Sequence, residues 1–490
     1  DFKVRMATKS RADGGSDLLE PDGKGGWKLV GDIPFSDSLT TAPGGFTVDG
    51  KTQYFIDSRG RDTAALYAID TASGAKTLVA EDARADIGGS LDDPKTGKAQ
   101  AVAVDYLKNE WKVVDPAIAA DMDKLKAIGP GDFSVTSRTL DDKTWIVAYS
   151  AAETPVAYYR YARGGTPEKL FSARPALEGK PLVPMWPQEI KSRDGLTLVS
   201  YLTLPRHADA NADGKADAAV PMVLLVHGGP WARDGYGYSG YTQWLANRGY
   251  AVLQVNYRGS TGFGKAFINK SDQQWAAAMH DDLIDAVDWA VKGGVTTKDQ
   301  VAIMGGSYGG YATLVGLTFT PDAFKCGVDI VGPSNLNTLL ATIPPYWAAF
   351  FEQFAKRVGD PRTEAGKQLL AERSPISHVD KISKPLLIGQ GANDPRVNQA
   401  ESDQIVKAMQ DKKIPVTYVL FPDEGHGFAR PENNKAFNAV TEGFLGQCLG
   451  GRSQPIGSDF TGSSIQVPAG ADGVPGLAEA LKSHTAEVKK

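Results

Sequence analysis

A change of pattern near residue 190 constrains the fold of this chain more than any other feature of its sequence. Before it, short β-rich runs alternate with Gly, Asp and Pro turns, and long stretches of helical periodicity are scarce. After it, strand candidates alternate with helical stretches, which is the pattern of βαβ units and a mainly parallel sheet. The predicted strands of this second part are 197–203, 222–227, 251–256, 301–304, 326–331, 385–389 and 416–421.

The first part repeats a turn at a regular interval. Lys51, Lys98 and Lys143 each precede a short strand, and they are separated by 47 and 45 residues. A period of about 40–50 residues built from antiparallel strands is typical of propeller blades. A generic β-sandwich whose turns fall at similar intervals is the alternative, and both interpretations make this part all-β.

The number of repeats predicts an incomplete propeller. Residues 1–180 hold three clear units and part of a fourth around 27–30, whereas a closed propeller has about four to eight blades. The chain also begins at Asp1, without an initiator Met or an apolar leader, so we expect the C-terminal part of a longer protein whose remaining N-terminal propeller portion is missing. The expected domains are a partial propeller of about three to four blades at 1–185, an α/β domain at 186–452 and a tail at 453–490.

Charge, hydropathy and metal-ligating residues exclude several classes of partner. The 53 Lys and Arg residues against 58 Asp and Glu give a net charge of −5, so there is no basic field to hold nucleic acid. The longest apolar run, around 222–226, is far shorter than the ~20 residues of a membrane-spanning helix. Cys326 and Cys448 lie far apart with no partner pattern, and we expect two buried free thiols. No histidines have helical i,i+4 spacing, so we expect no metal and no cofactor.

The strongest chemical signal lies at residues 301–311. A buried-type strand runs into Gly305-x-Ser307-x-Gly309, and a helix of small residues follows. This strand–turn–helix context is that of a nucleophile elbow, in which a strained serine stands at the turn and the helix N-terminus points N–H groups at a developing oxyanion. The alternative is a glycine-rich turn with an incidental serine. Ser307 is our candidate nucleophile.

The base and the acid should follow the nucleophile in the order Ser, Asp or Glu, His, as in an α/β-hydrolase sheet. Of the histidines after Ser307, His426 directly follows the strand 416–421 and is flanked by glycines, which makes it the candidate base. A turn histidine with a structural hydrogen bond is the alternative. Asp394, in the loop after strand 385–389, is the candidate acid, while Asp423 is the rival and more typical of a solvated turn.

A second donor to the oxyanion should come from the loop after an early strand. The run His227-Gly-Gly-Pro230 follows the strand 222–227 and is of the type found in lipases and esterases. We therefore expect the N–H groups of Tyr308 and Gly229 to form the oxyanion hole, with His227 bracing the loop. The second glycine-rich loop, 256–264, lacks the ending of a phosphate-binding loop and is interpreted as architectural.

From about residue 190 to 451 the chain resembles the prolyl oligopeptidase family of serine peptidases, especially its acylaminoacyl-peptidase and dipeptidyl-peptidase-like bacterial branch. The resemblance is carried by 227–230, 256–262, Asp282, Asp288-Trp289, 305–310, Asn393-Asp394 and 425–428. It implies a triad of Ser307, Asp394 and His426, oxyanion donors at Tyr308 and Gly229, and a propeller that restricts access to short peptides. The chain departs from the family in holding under half of a propeller.

Candidate substrate-binding residues lie outside the sequence motifs that indicate the catalytic residues. The aromatic loop 343–351, with Tyr346 and Trp347, could wall an apolar pocket, and lid packing is the alternative. Trp231 and Arg396 lie near the predicted active-site loops and complete the candidate set. Arg396 is, like Arg233 and Arg258, equally typical of a structural ion pair.

The leading hypothesis is a serine peptidase that hydrolyses short peptides through an acyl-enzyme on Ser307. An esterase or other small acyl hydrolase with the same triad is the alternative, and a catalytically dead binding protein is a third hypothesis that the intact triad argues against. The oligomeric state is open, with a homo-oligomer as one option. If a signal peptide has been removed, a periplasmic or secreted location is favoured over the cytoplasm.

Overall fold

The computed structural model describes residues 3–488. The chain divides into two compact units. One, here called the β unit, comprises Asp1–Pro187, Gly235–Gly240 and Gly259–Lys270. The other, here called the α/β unit, comprises Gln188–Asp234, Tyr241–Arg258 and Ser271–Lys490.

The β unit contains four antiparallel sheets in which each strand pairs with the next one along the chain. The first sheet is β1 (Ala7–Ser10), β2 (Ser16–Pro21) and β3 (Trp27–Ile33), and the second is β4 (Ala42–Phe46), β5 (Thr52–Asp57), β6 (Ala65–Asp70) and β7 (Lys76–Ala80). The third is β8 (Ile87–Asp92), β9 (Ala99–Asp105) and β10 (Asn109–Val113), followed by α1 (Ala119–Lys126). The fourth is β11 (Asp132–Arg138), β12 (Thr144–Ala151), β13 (Thr154–Ala162) and β14 (Glu168–Ser172).

Alternation along the strands explains these sheets. In β12 every second residue is buried, beginning with Trp145, because successive side chains of a strand point to opposite faces. Trp145 packs edge-on against Tyr161 of β13, and both join a core cluster with Leu125 of α1. Four successive small meanders are a propeller-type arrangement, whereas a sandwich consists of two facing sheets, so the predicted propeller-like first part is confirmed.

The second part of the chain is built on a nine-stranded sheet of order β15-β16-β18-β17-β19-β20-β21-β22-β23. Its strands are β15 (Met185–Lys191), β16 (Thr197–Thr203), β17 (Met222–Val226), β18 (Ala251–Val255), β19 (Val301–Gly306), β20 (Cys326–Ile330), β21 (Leu386–Gly391), β22 (Thr417–Phe421) and β23 (Gln466–Ala469). The pairs from β18 to β22 are parallel, whereas β16 and β23 pair antiparallel with their neighbours β18 and β22.

Helices follow most of these strands. They are α2 (Gly240–Asn247), α3 (Lys265–Asn269), α4 (Ala278–Lys292), α5 (Tyr308–Phe319), α6 (Leu336–Ala341), α7 (Phe351–Arg357), α8 (Glu364–Glu372), α9 (Gln399–Asp411), α10 (Pro431–Leu449) and α11 (Leu477–Val488). Strands such as β17 and β18 are almost continuously apolar because both faces of the sheet are covered. The predicted α/β-hydrolase fold with a mostly parallel sheet is confirmed.

The described residues beyond 452 belong to the α/β unit. The strand β23 extends the sheet at its edge beside β22, and α11 follows it. Ile456, Phe460 and Leu477 are buried in the same core cluster as the sheet residues Val223 and Val328. Burial of these side chains anchors the polar, glycine-rich segment to the core.

The prediction of two free thiols is wrong. Cys326, the first residue of β20, and Cys448, near the end of α10, form a disulfide with their Cα atoms 6.5 Å apart. They are 122 residues apart in sequence, so no local spacing could indicate the pair. The start of β20 and the end of α10 meet in the folded unit, and that proximity is a property of the tertiary structure.

Candidate active site

Ser307 stands between β19 and α5, at the N-cap position of the helix. Its backbone has φ 59° and ψ −117°, a conformation that non-glycine residues rarely adopt and that is characteristic of strained functional turns. Its N–H donates to the carbonyl oxygen of Ile330 in the neighbouring strand β20, at 2.8 Å. The sheet therefore fixes the nucleophile candidate in a conformation that the isolated turn would not favour.

Two glycines allow the close approach of strand and helix around Ser307. A Cβ atom on Gly305 would lie 2.5 Å from the carbonyl oxygen of Val226, and one on Gly309 would lie 2.1 Å from the same oxygen. Real Cβ contacts are not that short, so a side chain at Gly305 would separate β19 from β17, and one at Gly309 would push α5 away from β17. This steric requirement is the physical reason for the Gly-x-Ser-x-Gly spacing.

His426 bridges the serine and the acid. Its Nε2 lies 3.0 Å from Oγ of Ser307, and its Nδ1 lies 2.7 Å from a carboxylate oxygen of Asp394. The side chain of Asp394 is fully buried, while that of His426 is 15% exposed. A carboxylate bound at Nδ1 holds the proton on that nitrogen and leaves Nε2 free to accept one from the serine hydroxyl.

Neighbouring parallel strands bring the acid and the base together. Asp394 lies in the loop after β21, and His426 lies in the loop after β22, so both follow carboxyl ends on the same edge of the sheet. The second carboxylate oxygen of Asp394 accepts the N–H groups of Arg396 and Val397 at 2.8 and 2.9 Å. These bonds fix the orientation of the carboxylate toward His426.

Two buried residues that were not predicted from the sequence organise these loops. Glu424 accepts hydrogen bonds from the N–H groups of Ala429 and Arg430 and from the amide of Asn433, at 2.8–3.0 Å, and so closes the loop around His426. Gln390 donates its amide to the carbonyl oxygen of Val397 at 3.0 Å. The available sequence signal was a glutamate two positions before His426, and the sequence contained no comparable signal for Gln390.

The predicted oxyanion donors lie beside Ser307. Tyr308 begins α5, and both Tyr308 and Gly229 line one pocket with the serine. In the preceding loop His227 is stacked on the ring of Tyr257 with centroids 4.5 Å apart, and its Nδ1 lies 2.7 Å from the carbonyl oxygen of Gly228. Burial lowers the pKa of His227, which keeps the ring neutral. These contacts describe a side chain that braces the loop.

The pocket beside the serine is small and mostly apolar, with a volume of about 30 Å³. Its walls are Gly229, Trp275, Ser307, Tyr308, Pro333, Leu339, Leu340, Ile343, Trp347, Phe354, Arg396 and Val397. Of the predicted substrate-binding residues, Trp347 and Arg396 lie in the wall, with the guanidinium 5.5 Å from the Trp347 ring centroid. Trp231 packs edge-on behind the wall residue Phe354, and Tyr346 is 58% exposed.

Other sequence candidates have structural partners. Arg258 is buried and forms ion pairs with Asp282 and Asp194 at 2.6 and 2.9 Å, which raise its pKa above the ordinary value against the cost of burial. Asp423 pairs with Arg430 and accepts from Asn433. Within the described part of the chain, there is no group of three His, Cys, Asp or Glu side chains that could hold a metal ion. Among residues 3–488, no helix has the length and hydropathy needed to cross a membrane.

A family model and several known proteins match this chain. A family model described as the prolyl oligopeptidase family matches residues 236–452. The chain is 77% identical over 491 residues to dipeptidyl aminopeptidase BIII of Pseudoxanthomonas mexicana, covering 100% of this chain and 71% of that protein. It is 41% identical over 500 residues to dipeptidyl peptidase family member 6 of Caenorhabditis elegans, covering 96% of this chain and 68% of that protein.

Solved structures share the fold at low sequence identity. A puromycin-hydrolyzing peptidase of Mycobacterium tuberculosis superposes with a TM-score of 0.73 at 24% identity, covering 90% of this chain and 67% of that one. The fold, with a serine, a histidine and a carboxylate meeting at the carboxyl edge of a parallel sheet, is that of a serine hydrolase. The chain belongs to the prolyl oligopeptidase family of serine peptidases, as the resemblance of its motifs predicted.

Proposed function

We propose that this protein is a dipeptidyl aminopeptidase that releases dipeptides from the free N-terminus of short peptides through an acyl-enzyme on Ser307. The observation that carries the proposal is the continuous contact of Ser307 with His426 and of His426 with Asp394, at 3.0 and 2.7 Å. The peptide specificity is supported by two relatives named as dipeptidyl peptidases, at 77% and 41% identity.

In the first step Oγ of Ser307 attacks the scissile carbonyl carbon while Nε2 of His426 takes the hydroxyl proton. The carbonyl oxygen becomes an oxyanion, and the N–H groups of Tyr308 and Gly229 stabilise it. One such donor is typically worth about 10²–10³ in turnover. The C–N bond then breaks as His426 returns the proton to the leaving amine, and the acyl group remains on Ser307.

In the second step water replaces the amine. His426 takes a proton from the water as its oxygen attacks the acyl carbon, the ester bond to Ser307 breaks, and the proton passes to Oγ. Asp394 stabilises the imidazolium in both steps because its fully buried carboxylate lies against Nδ1. The products are a dipeptide and a shortened peptide.

The wall of the pocket supports a role for two of the predicted substrate-binding residues. Trp347 would contact the side chain of the residue whose carbonyl is attacked, and the guanidinium of Arg396 would donate to substrate carbonyl oxygens. Trp231 would act indirectly by supporting Phe354, and Tyr346, being exposed, would contact the substrate only outside the pocket.

Matched substrates test the proposal. Dipeptidyl naphthylamides with a free α-amine are compared with their acetylated counterparts and with p-nitrophenyl acetate, using Ser307→Ala as the control for background hydrolysis. We expect turnover of the free-amine substrates to be at least 100-fold faster than that of the acetylated ones. A dipeptidyl aminopeptidase recognises the free α-amine and cleaves after the second residue. Turnover of the ester alone would favour the small acyl hydrolase, and preference for the acetylated substrates would contradict dipeptidyl action.

A further inference from the structure

We propose that two successive residues in the first turn of α9 position both halves of the active site. Glu401 fixes an apolar wall of the pocket beside Ser307, and Ser402, acting through Gln390, fixes the loop that carries Asp394. The inference rests on the proposed function, because it relates these contacts to acylation of Ser307 and to the choice of acyl residue. The acyl residue is the substrate residue whose carbonyl carbon Ser307 attacks.

Glu401 joins α9 to the segment 334–338. Its side chain is buried, with 2% of the residue exposed. One carboxylate oxygen accepts the backbone N–H groups of Ser334 and Asn335 at 3.0 and 2.9 Å, and the other accepts the hydroxyl of Thr338. The carbonyl oxygen of Glu401 accepts the hydroxyl of Ser334 at 2.6 Å. Four hydrogen bonds from one residue therefore hold this segment.

The segment 334–338 is continuous with the pocket wall. Pro333 directly precedes it, Leu339 and Leu340 directly follow it, and all three line the pocket beside Ser307. A buried N–H that loses its acceptor pays the cost of an unmade hydrogen bond unless it turns toward water. Without the Glu401 carboxylate, the segment would turn in this way and draw the apolar wall outward. Glu401 thereby sets the width of the pocket.

Ser402 reaches the other half of the site through Gln390, whose side chain is fully buried. The hydroxyl of Ser402 donates to Oε1 of Gln390 at 2.8 Å. The Gln390 amide donates to the carbonyl oxygens of Gly391 and Val397, each at 3.0 Å. Because the amide oxygen faces Ser402, the NH₂ end is directed at these two carbonyl groups, which stand at the two ends of the loop that contains Asp394.

This network ends at the catalytic carboxylate. The N–H of Val397 donates to Asp394 at 2.9 Å, and the other oxygen of that carboxylate lies 2.7 Å from Nδ1 of His426. A misplacement of about 1 Å can cost about 100-fold in rate, so a partial relaxation of the loop is expected to cost about 10-fold. Ser402 and Gln390 contact no reacting atom and are positioning residues.

The two supports predict separate kinetic effects. Successive residues of an α-helix point about 100° apart, which lets Glu401 and Ser402 reach different loops from one turn. Loss of the Ser402 contact should slow the reaction of Ser307 with any acylating group. Loss of the Glu401 contacts should change which acyl residue is preferred, while the intrinsic reactivity of Ser307 is retained.

Two measurements separate these effects. The rate of labelling by diisopropyl fluorophosphate, which carries no acyl residue, reports the reactivity of Ser307. The ratio of kcat/KM for dipeptidyl naphthylamides ending in Leu and in Ala reports the width of the pocket. Each variant is assayed well below its own Tm, so that the folded protein is compared throughout.

Ser402→Ala tests the support of the acid. We expect labelling to slow about 10-fold and the Leu-to-Ala ratio to stay within about 2-fold of wild type. Gln390→Met should have a similar effect, and the double variant should be no slower than the slower single variant, because the two residues act in series. The matched control is Ser200→Ala, which removes another buried hydroxyl, one that donates to the carbonyl oxygen of Leu198 at 3.1 Å, and it should label at the wild-type rate.

Glu401→Met tests the support of the wall. Methionine has nearly the same length and no carboxylate, and we expect the Leu-to-Ala ratio to rise about 10-fold while labelling stays within about 3-fold of wild type. Glu401→Gln retains an oxygen for the N–H groups of Ser334 and Asn335 and should keep the wild-type ratio. Glu442→Met, which removes a buried partner of Arg248 in α10, is the control for general loosening and should also keep the ratio.

Three results would overturn the inference: wild-type labelling of Ser402→Ala, additive effects of Ser402→Ala and Gln390→Met, or equal ratios in Glu401→Met and Glu401→Gln. A shared pattern in Ser402→Ala and Glu401→Met would also overturn it, because the two supports would then be one. If no naphthylamide is cleaved while p-nitrophenyl acetate is, the proposed function fails separately. The ratio is then measured on p-nitrophenyl esters of acetylated Leu and Ala, where the inference predicts the same changes.

Discussion

The carboxylate of Asp394 lies 2.7 Å from Nδ1 of His426, and no part of the Asp394 side chain is exposed to solvent. The imidazole is thus held by a buried anion on one side, while its other nitrogen faces the hydroxyl of Ser307 at 3.0 Å. Buried charge–dipole contacts of this kind are little screened, so the orientation of the ring and the position of its proton are set by Asp394.

Replacing Asp394 by Asn tests that orientation. The amide N–H of the introduced asparagine donates to Nδ1 and moves the ring proton to Nε2, where it can no longer accept the proton of Ser307. We expect Asp394→Asn to lower kcat about 10⁴-fold, as loss of the correct tautomer does in serine triads, with KM changed by less than about 3-fold. Asp423→Asn, at the neighbouring exposed carboxylate, is the control and should retain near-normal kcat. A large loss in the control with little in Asp394→Asn would reverse the assignment of the acid.

The disulfide closes a segment of 122 residues that contains both Asp394 and His426. Cross-linking a loop of about that length restricts the unfolded chain and stabilises the fold by about 4–5 kcal/mol in the chain-entropy model. We expect a reductant to lower the Tm of the wild type and to leave the Tm of a Cys326→Ala, Cys448→Ala double variant unchanged. Two thiols titrating in the native, non-reduced protein would contradict the pairing.

His280 predicts an acid-sensitive stability. It is buried in α4 with Nε2 2.8 Å from the hydroxyl of Thr320, and burial lowers its pKa to about 4 from an unfolded value near 6.5. Between these values the unfolded state binds the extra proton, so the free energy of unfolding falls as pH falls, by roughly 3 kcal/mol over the window. Urea unfolding of wild type and His280→Gln at pH 7 and pH 4.5 measures the effect, and the variant should lose less stability. Parallel pH curves for the two proteins would contradict it.

The close approach of α5 to β17 predicts different tolerances at two glycines of one turn. A Cβ on Gly309 would lie 2.1 Å from the carbonyl oxygen of Val226, whereas one on Gly306 would lie no closer than 3.9 Å to its nearest neighbour. We expect Gly309→Ala to lower the Tm by several degrees and kcat/KM at least 100-fold, because α5 and Ser307 must shift. Gly306→Ala should stay within a few degrees and a few-fold of wild type. Equal effects of the two substitutions on Tm would contradict the steric account.

The general fold followed from strand–helix alternation and from local motifs. Ser307, Asp394 and His426 could be selected because each follows its own buried strand, and parallel strands deliver their carboxyl ends to one edge. In the structure, His426 lies within hydrogen-bond distance of both Ser307 and Asp394. Steric constraints such as those at Gly305 and Gly309 can also be read from the sequence, because only glycine fits at these positions.

Features that depend on contacts between residues far apart in sequence could not be predicted from the sequence. The Cys326–Cys448 pair joins the start of a strand to the end of a helix 122 residues later, and nothing in the spacing indicates it. Glu424 and Gln390 resemble ordinary turn and strand residues in sequence. Their roles arise from contacts with backbone groups that only the assembled α/β unit defines.

Labelling of Ser307 tests the central claim most directly. A fluorophosphonate reacts only with a serine whose hydroxyl is activated by its neighbours, and intact-protein and peptide mass spectrometry locate the adduct. We predict one adduct per chain, on Ser307, that forms in the wild type, is absent in Ser307→Ala and is slowed at least 100-fold in His426→Ala. Unlabelled wild-type protein, or an adduct on another residue that persists in Ser307→Ala, would contradict the account.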